Sequence, residues 1–155
     1  MVRVLMVCTG NICRSPTAEV VLRTLAAHTA WAGRLEVDSA GTTGYHVGEP
    51  PDERSQAHAG RRGYELSALR ARRLADADFS HYDWLLAMDR GHLMEMRQRC
   101  PPPLQGRLQL LLAFSARWPG QDVPDPYYGG ASGFEAVLDR VEDGCRGFLA
   151  ALGRP

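Results

Sequence analysis

Apolar positions along this chain follow two rhythms in alternation. The run "VRVLMV" (2–7) is a short, mostly apolar and β-branched run, as in a buried strand. Directly after a short polar stretch, "SPTAEVVLRTLAAH" sets Ala18, Val21, Leu22 and Leu25 at helical spacing. Pro16 suits its first turn and Ser15 its cap. The N-terminal segment is therefore a strand–loop–helix junction. "RLEVDSAGT" (34–42) predicts a second strand ending in a glycine turn. "PPDERSQAHAGRRG" predicts a helix with Asp52 near its cap and Gly63 past its end. "HYDWLLAMD" (81–89) is a third strand, and a helix opens near Asp89 and stops before the prolines at 101–103. "RLQLLLAF" supplies a fourth strand, followed by an irregular segment over 115–132. Phe134, Val137, Leu138, Val141, Cys145, Phe148, Leu149 and Leu152 then hold one helix face, and Ser132 with Glu135 forms a capping-box pattern at its start.

Strands alternating with helices define the α/β class. The expected architecture is one three-layer domain over residues 1–155: a four-stranded parallel sheet with helices on both faces. Ligands in such folds sit at the carboxyl ends of the strands, and the loop after the first strand lies at that edge.

Composition changes this picture only by exclusion. The chain has 155 residues, 45% of them hydrophobic and 23% charged, with zero formal net charge. The absence of a basic excess argues against a dedicated nucleic-acid or membrane-surface binder. Every basic residue is an arginine. That removes lysine Schiff-base chemistry and the nucleotide loop ending in Lys-Ser/Thr. The N-terminal apolar run is too short for an export signal, and no stretch has the roughly 20 apolar residues needed to span a bilayer. Four cysteines (Cys8, Cys13, Cys100, Cys145) in that setting read as thiols of a reducing compartment. A cytoplasmic location is expected, with export by another route left open.

The chemistry concentrates in "VCTGNICRSPTAE" (7–19). A permanent Cys8–Cys13 disulfide is disfavoured by a reducing compartment, and zinc would lack its remaining ligands. An anion cradle explains more of the residues. Gly10 and Asn11 tolerate positive φ, so the loop from Thr9 to Cys13 can point its N–H groups inward, and the helix behind adds its positive pole. Arg14 offers a planar fork for two phosphate oxygens. Cys8 lies beneath, where these donors and the Ser15 hydroxyl would favour its thiolate, a nucleophile placed for in-line attack.

"CTGNICRSP" resembles the signature loop of the low-molecular-weight protein tyrosine phosphatases, and the resemblance runs from the first strand to the last helix. It implies phosphotyrosine hydrolysis through a phosphocysteine, with no cofactor and no metal. Cys8 would be the nucleophile and Arg14 the clamp, while Thr9, Gly10, Asn11, Ile12, Cys13 and Ser15 would build the phosphate site. "DPYY" resembles the family's general-acid motif, with Asp125 as acid and then base. Tyr127 and Tyr128 match the paired tyrosines that border the pocket and can be phosphorylated, and Tyr45 matches an aromatic wall. Ser39, Ala40 and Gly41 also follow the pattern, and Asp89 matches the family's Met-Asp as a support or a helix cap. The second loop cysteine implies a reversible Cys8–Cys13 off-switch.

One departure stands out. The histidine that supports the loop in the family is absent from "LSALRAR", where Ala68 and Leu69 stand, and neither His46 nor His58 is an obvious replacement. Cys145 is expected in the core and Cys100 at a helix end. Arsenate reduction would need two further cysteines close together, and Cys100 and Cys145 are 45 positions apart. A protein-arginine phosphatase has threonine where Ile12 stands and lacks the tyrosine pair. A non-catalytic phosphate-binding or redox module would need neither the nucleophile nor the acid. The expected partners are phosphotyrosine proteins, with no nucleic acid and no membrane, acted on by a monomer.

Overall fold

The structure is a computed structural model that describes residues 1–127 and 129–155. Four strands, β1 (Val2–Cys8), β2 (Leu35–Gly41), β3 (Trp84–Ala87) and β4 (Leu108–Leu110), form one parallel sheet in the order β2-β1-β3-β4. Among the described residues five α-helices accompany it: α1 (Arg14–Ala26), α2 (Glu53–Arg61), α3 (Asp78–His81), α4 (Arg90–Arg99) and α5 (Ala131–Leu152). β1 is central, with Val4 facing Val37 on one side and Trp84 on the other. From β1 the chain moves outward to β2 and then crosses back to β3. The carboxyl end of β1 therefore lies at the switch point where such sheets open a crevice.

The apolar run of β1 is buried on both faces, as a central parallel strand requires. Val4, Met6 and Cys8 pack into a core with α1, α2 and α5. Leu5 and Val7 turn to the opposite face, against Phe79 of α3 and Leu93 and Met96 of α4. The expected three layers are present. At the distal end of the first core, Trp84, Phe114 and Phe148 meet edge to face at 5.2–5.8 Å between ring centres, which locks α5 to the sheet.

Three local expectations are corrected. The fourth strand stops at Leu110, and Leu111–Phe114 winds into a 3-10 turn instead. That turn drives Leu111 and Leu112 against α5, where the glycine at 144 leaves room for them. A continuous apolar run does not distinguish these two outcomes. The third strand begins at Trp84, because 78–81 forms the short α3. The capping box at α5 does not form: its N-cap is Gly130, without a side-chain bond. Glu135 is drawn away by His58 and Arg62, whose guanidinium also bonds Asp139 and Glu142.

Candidate active site

Cys8 is the last residue of β1 and Arg14 the first of α1, so the loop between them spans from a strand end to a helix N-terminus. Asn11 takes the left-handed conformation (φ 59°) that reverses this short loop. Gly10 keeps a negative φ, contrary to expectation, and its small size serves another purpose. A Cβ there would lie 2.8 Å from the His46 ring. Gly41 serves similarly beneath the loop, since a Cβ on it would meet the Thr9 carbonyl at 2.6 Å.

The polar groups behind the loop form a directed chain. The backbone N–H of Arg72 donates to Asn11 Oδ1 (3.0 Å), which fixes the amide and turns its nitrogen inward. That nitrogen donates to Ser39 Oγ (2.9 Å) and Ser15 Oγ (2.8 Å). Ser39 in turn donates to Glu19 Oε1 (2.7 Å). Because Ser15 Oγ already accepts from Asn11, its own hydrogen is free to point at Cys8 Sγ, 2.9 Å away. Ser15 was expected to cap α1, but the N-cap is Cys13 with no side-chain bond, and the serine hydroxyl serves the sulfur. Asn11 Oδ1 is held by the Arg72 peptide, three residues beyond Leu69, where no histidine stands. Burial pushes the Glu19 carboxyl upward, against hydrogen bonds from Ser39 and Arg23 that pull it down.

Arg14 is almost wholly buried, and its Nη1 donates to Asp89 Oδ2 (2.9 Å) and to the Val123 carbonyl (2.9 Å). Asp89 also caps α4 by accepting the His92 N–H (2.9 Å). Burial alone would raise the Asp89 carboxyl. The His92 amide, the nearby imidazole and the Arg14 guanidinium outweigh it and hold the group below its usual range. Asp89 is thus both of the things the sequence suggested, a cap and a support.

Asp125 arrives from the segment after β4. Its Oδ1 accepts the Tyr127 N–H (3.0 Å), and Oδ2 approaches Arg14 Nη2 at 3.8 Å. It joins Cys8, Thr9, Gly10, Ile12, Cys13, Arg14, Tyr45 and Tyr127 around one cavity of about 360 Å³. Thr43 and His46 complete its wall. Asn11 and Ser15 stand behind the wall as supports. Tyr45 stands at the mouth and is 86% exposed. Tyr127 carries the Arg54 guanidinium 5.5 Å from its ring centre. Tyr128 lies outside the described residues.

Cys13 is buried, which pushes its thiol up to about 12 over the opposing hydrogen bond from Ser55. Cys145 is core and Cys100 ends α4. Among the described residues no group of three or more His, Cys, Asp or Glu is arranged to hold a metal, and no helix is long and apolar enough to cross a membrane. Sequence reasoning missed Glu19, Thr43 and His92, whose polar side chains lie in otherwise ordinary helical or loop patterns.

A parallel sheet whose first strand runs into a loop backed by a buried arginine, faced by an aspartate on a separate segment, has the features of a small α/β phosphatase. The family "Low molecular weight phosphotyrosine protein phosphatase" matches residues 3–155. The low molecular weight protein-tyrosine-phosphatase of Streptomyces coelicolor is 43% identical over 153 residues, covering 97% of this chain and 93% of the relative. The low molecular weight phosphotyrosine protein phosphatase of Homo sapiens is 38% identical over 148 residues, covering 94% and 92%. A protein tyrosine phosphatase from Entamoeba histolytica, crystallised with Hepes in its active site, superposes with a TM-score of 0.95 at 36% identity, covering 98% of this chain and 97% of its own. This chain belongs to the low molecular weight phosphotyrosine protein phosphatases, and it is an enzyme of that family, a protein-tyrosine-phosphatase.

Proposed function

We propose that this chain, acting as one domain over residues 1–155, hydrolyses phosphotyrosine in proteins through a phosphocysteine intermediate. The Cys8 thiolate attacks phosphorus in line with the tyrosyl oxygen. Arg14, the N–H groups of residues 9–13 and the α1 dipole hold the equatorial oxygens as charge develops on them. Asp125 gives its proton to the departing phenolate, and the S–P bond is made as the P–O bond breaks. Water then attacks the phosphocysteine while Asp125 takes back a proton, and inorganic phosphate and the thiolate are released.

The observation that carries this reading is the convergence of Cys8, Arg14 and Asp125 on one cavity, with the Ser15 hydroxyl 2.9 Å from the sulfur. The Entamoeba relative's active site accepts Hepes, a sulfonate and hence a tetrahedral anion, which agrees with an oxyanion cradle. Ile12, Tyr45 and Tyr127 on the wall favour an aryl phosphate over a guanidinium, which apolar Ile12 could not hydrogen-bond. Tyr128 belongs to the same proposed pocket by resemblance.

The redox reading is retained beside it. A peroxide would oxidise the Cys8 thiolate to a sulfenic acid, and the Cys13 thiol would displace water from it to form a disulfide. Both sulfurs are buried at the cavity, and the charge of Cys8 bears on Cys13. Protein substrates met as a monomer in the cytoplasm complete the proposal.

Phosphate release from matched phosphotyrosine, phosphoserine and phosphoarginine peptides, with a chelator present, tests it. Chelator-resistant release from phosphotyrosine alone, abolished in Cys8→Ser, is the expected result. Release from phosphoarginine in preference, or from none of the three by reduced protein, overturns it.

A further inference from the structure

His92 is 3% exposed, on the first turn of α4, and none of the catalytic steps above uses it. Its Nε2 lies 2.7 Å from the hydroxyl of Thr9, the first residue after the nucleophile. Its Nδ1 lies 3.1 Å from Asp89 Oδ1 without making a hydrogen bond, while that oxygen accepts the His92 backbone N–H. The other oxygen of Asp89 holds Arg14. Arg14, Asp89, His92 and Thr9 thus close a ring of contacts from the phosphate clamp to the start of the loop.

We propose that His92 is a positioning residue of this enzyme. Through the Thr9 hydroxyl it holds the first peptide of the loop in register with the Arg14 clamp. The inference rests on the phosphatase reading above. Thr9 needs such a hold, because its side chain stands exposed in the cavity wall. Its carbonyl is already fixed by the N–H of Thr43 (3.0 Å), so a second hold on the hydroxyl leaves the intervening peptide little freedom. Effective preorganisation of donors requires this, since they must not reorient while charge builds.

The carboxylate also selects the tautomer. A bare nitrogen lone pair facing Asp89 Oδ1 at 3.1 Å would be repelled, whereas an N–H there is attracted. His92 therefore carries its proton on Nδ1, and Nε2 accepts from the Thr9 hydroxyl. The burial that disfavours an imidazolium keeps the ring neutral and so leaves Nε2 able to accept.

The test is a double-mutant cycle on Thr9→Val, His92→Leu and the pair, with His92→Gln as the conservative variant. The readouts are kcat and KM on 4-nitrophenyl phosphate and equilibrium binding of inorganic phosphate. Each single change is expected to weaken phosphate binding and lower kcat/KM about tenfold, the scale of one well-placed hydrogen bond. The pair should be little worse than either single change, and His92→Gln should recover most of the loss. Nitrogen NMR of the unaltered enzyme should show the Nδ1–H tautomer for His92. Losses that multiply in the double variant, a silent Thr9→Val, or an Nε2–H tautomer each overturn the inference. Thr9→Val and the NMR measurement hold even should His92→Leu fold poorly. Absence of turnover by the unaltered enzyme would sink the phosphatase reading instead, while phosphate binding would still decide the coupling of Thr9 and His92.

Discussion

The two halves of the site are built to different standards. In the loop half, Cys8, Asn11, Arg14 and Ser15 are all buried, and every polar atom of the Asn11 side chain has a partner. In the acid half, the Asp125 side chain is 50% exposed, its segment is bounded by prolines, and its bonds are to the Tyr127 amide and, at longer range, Arg14. Tyr45 across the mouth is more exposed still. The first half is packed like a protein core, and the second resembles a surface laid over it. Holding charge in place rewards rigidity, whereas giving and taking a proton and admitting a protein substrate do not. The difference predicts that activity and stability will fall together in one half and separately in the other.

The largest effect should come from Arg14→Lys. Lysine keeps the charge but cannot bond Asp89 and Val123 while presenting a fork to phosphate. A loss of about 10²–10³-fold in kcat/KM is expected, together with lower thermal stability, measured by steady-state kinetics and calorimetry. Retention of activity would mean that the cradle's N–H groups suffice.

Asp125→Asn is the counterpart from the other half. Without a proton donor, kcat on phosphotyrosine peptide should fall by about 10²–10⁴-fold. Unfolding in urea should move by no more than roughly 0.5 kcal/mol, as for an exposed position. The loss should shrink for aryl phosphates with better leaving groups. A large change in stability would show that the acid half is more tightly built than its exposure implies.

Asn11→Ala should lose stability and turnover together. It deletes three hydrogen bonds, two of them buried, and leaves a residue with a Cβ at φ 59°. About 2–3 kcal/mol in denaturant unfolding is expected. Asn11→Gly should recover about 1 kcal/mol of that by relieving the backbone, but none of the turnover, since Ser15 would remain free to turn its hydrogen from the sulfur. Equal stability of the two variants would remove φ from the account.

How much of this was legible follows the same divide between backbone pattern and side-chain partnership. β1, α1 and α5 were readable because long apolar runs and helical spacing carry their own signal, and the loop because Cys8 and Arg14 bracket it. Asp125 became readable only beside that loop, since Asp-Pro alone is a common turn. Leu111 and Leu112 misled because buried strands and buried 3-10 turns share one composition. Glu135 misled because Arg62, more than seventy positions away, outbid the local cap. His92 and Glu19 gave no signal, because a polar residue in a helical pattern reads as surface until its partner across the fold is known. The Arg72 peptide that holds Asn11 Oδ1 was invisible for a simpler reason: a backbone N–H carries no sequence identity.

The smallest effect concerns acid stability, and it sharpens the comparison by separating Asp89 and His92 from the exposed acid. The folded state holds His92 below its ordinary 6.5, mainly by burial, and holds Asp89 below 3.8. In both cases the unfolded chain takes up the proton first. Stability is therefore fully present above the unfolded value and is lost as pH falls through 6.5 toward the folded value for His92, then below 3.8 for Asp89. The charges bearing on His92 are Asp89, Arg14, Glu95 and Asp125. Asp89 and the other two carboxylates oppose the depression, and Arg14 reinforces it. Thermal unfolding followed from pH 7.5 to pH 5 should show a shallow decline that flattens in His92→Gln and persists in Asp125→Asn. A decline unchanged by His92→Gln would place the acid-sensitive group elsewhere.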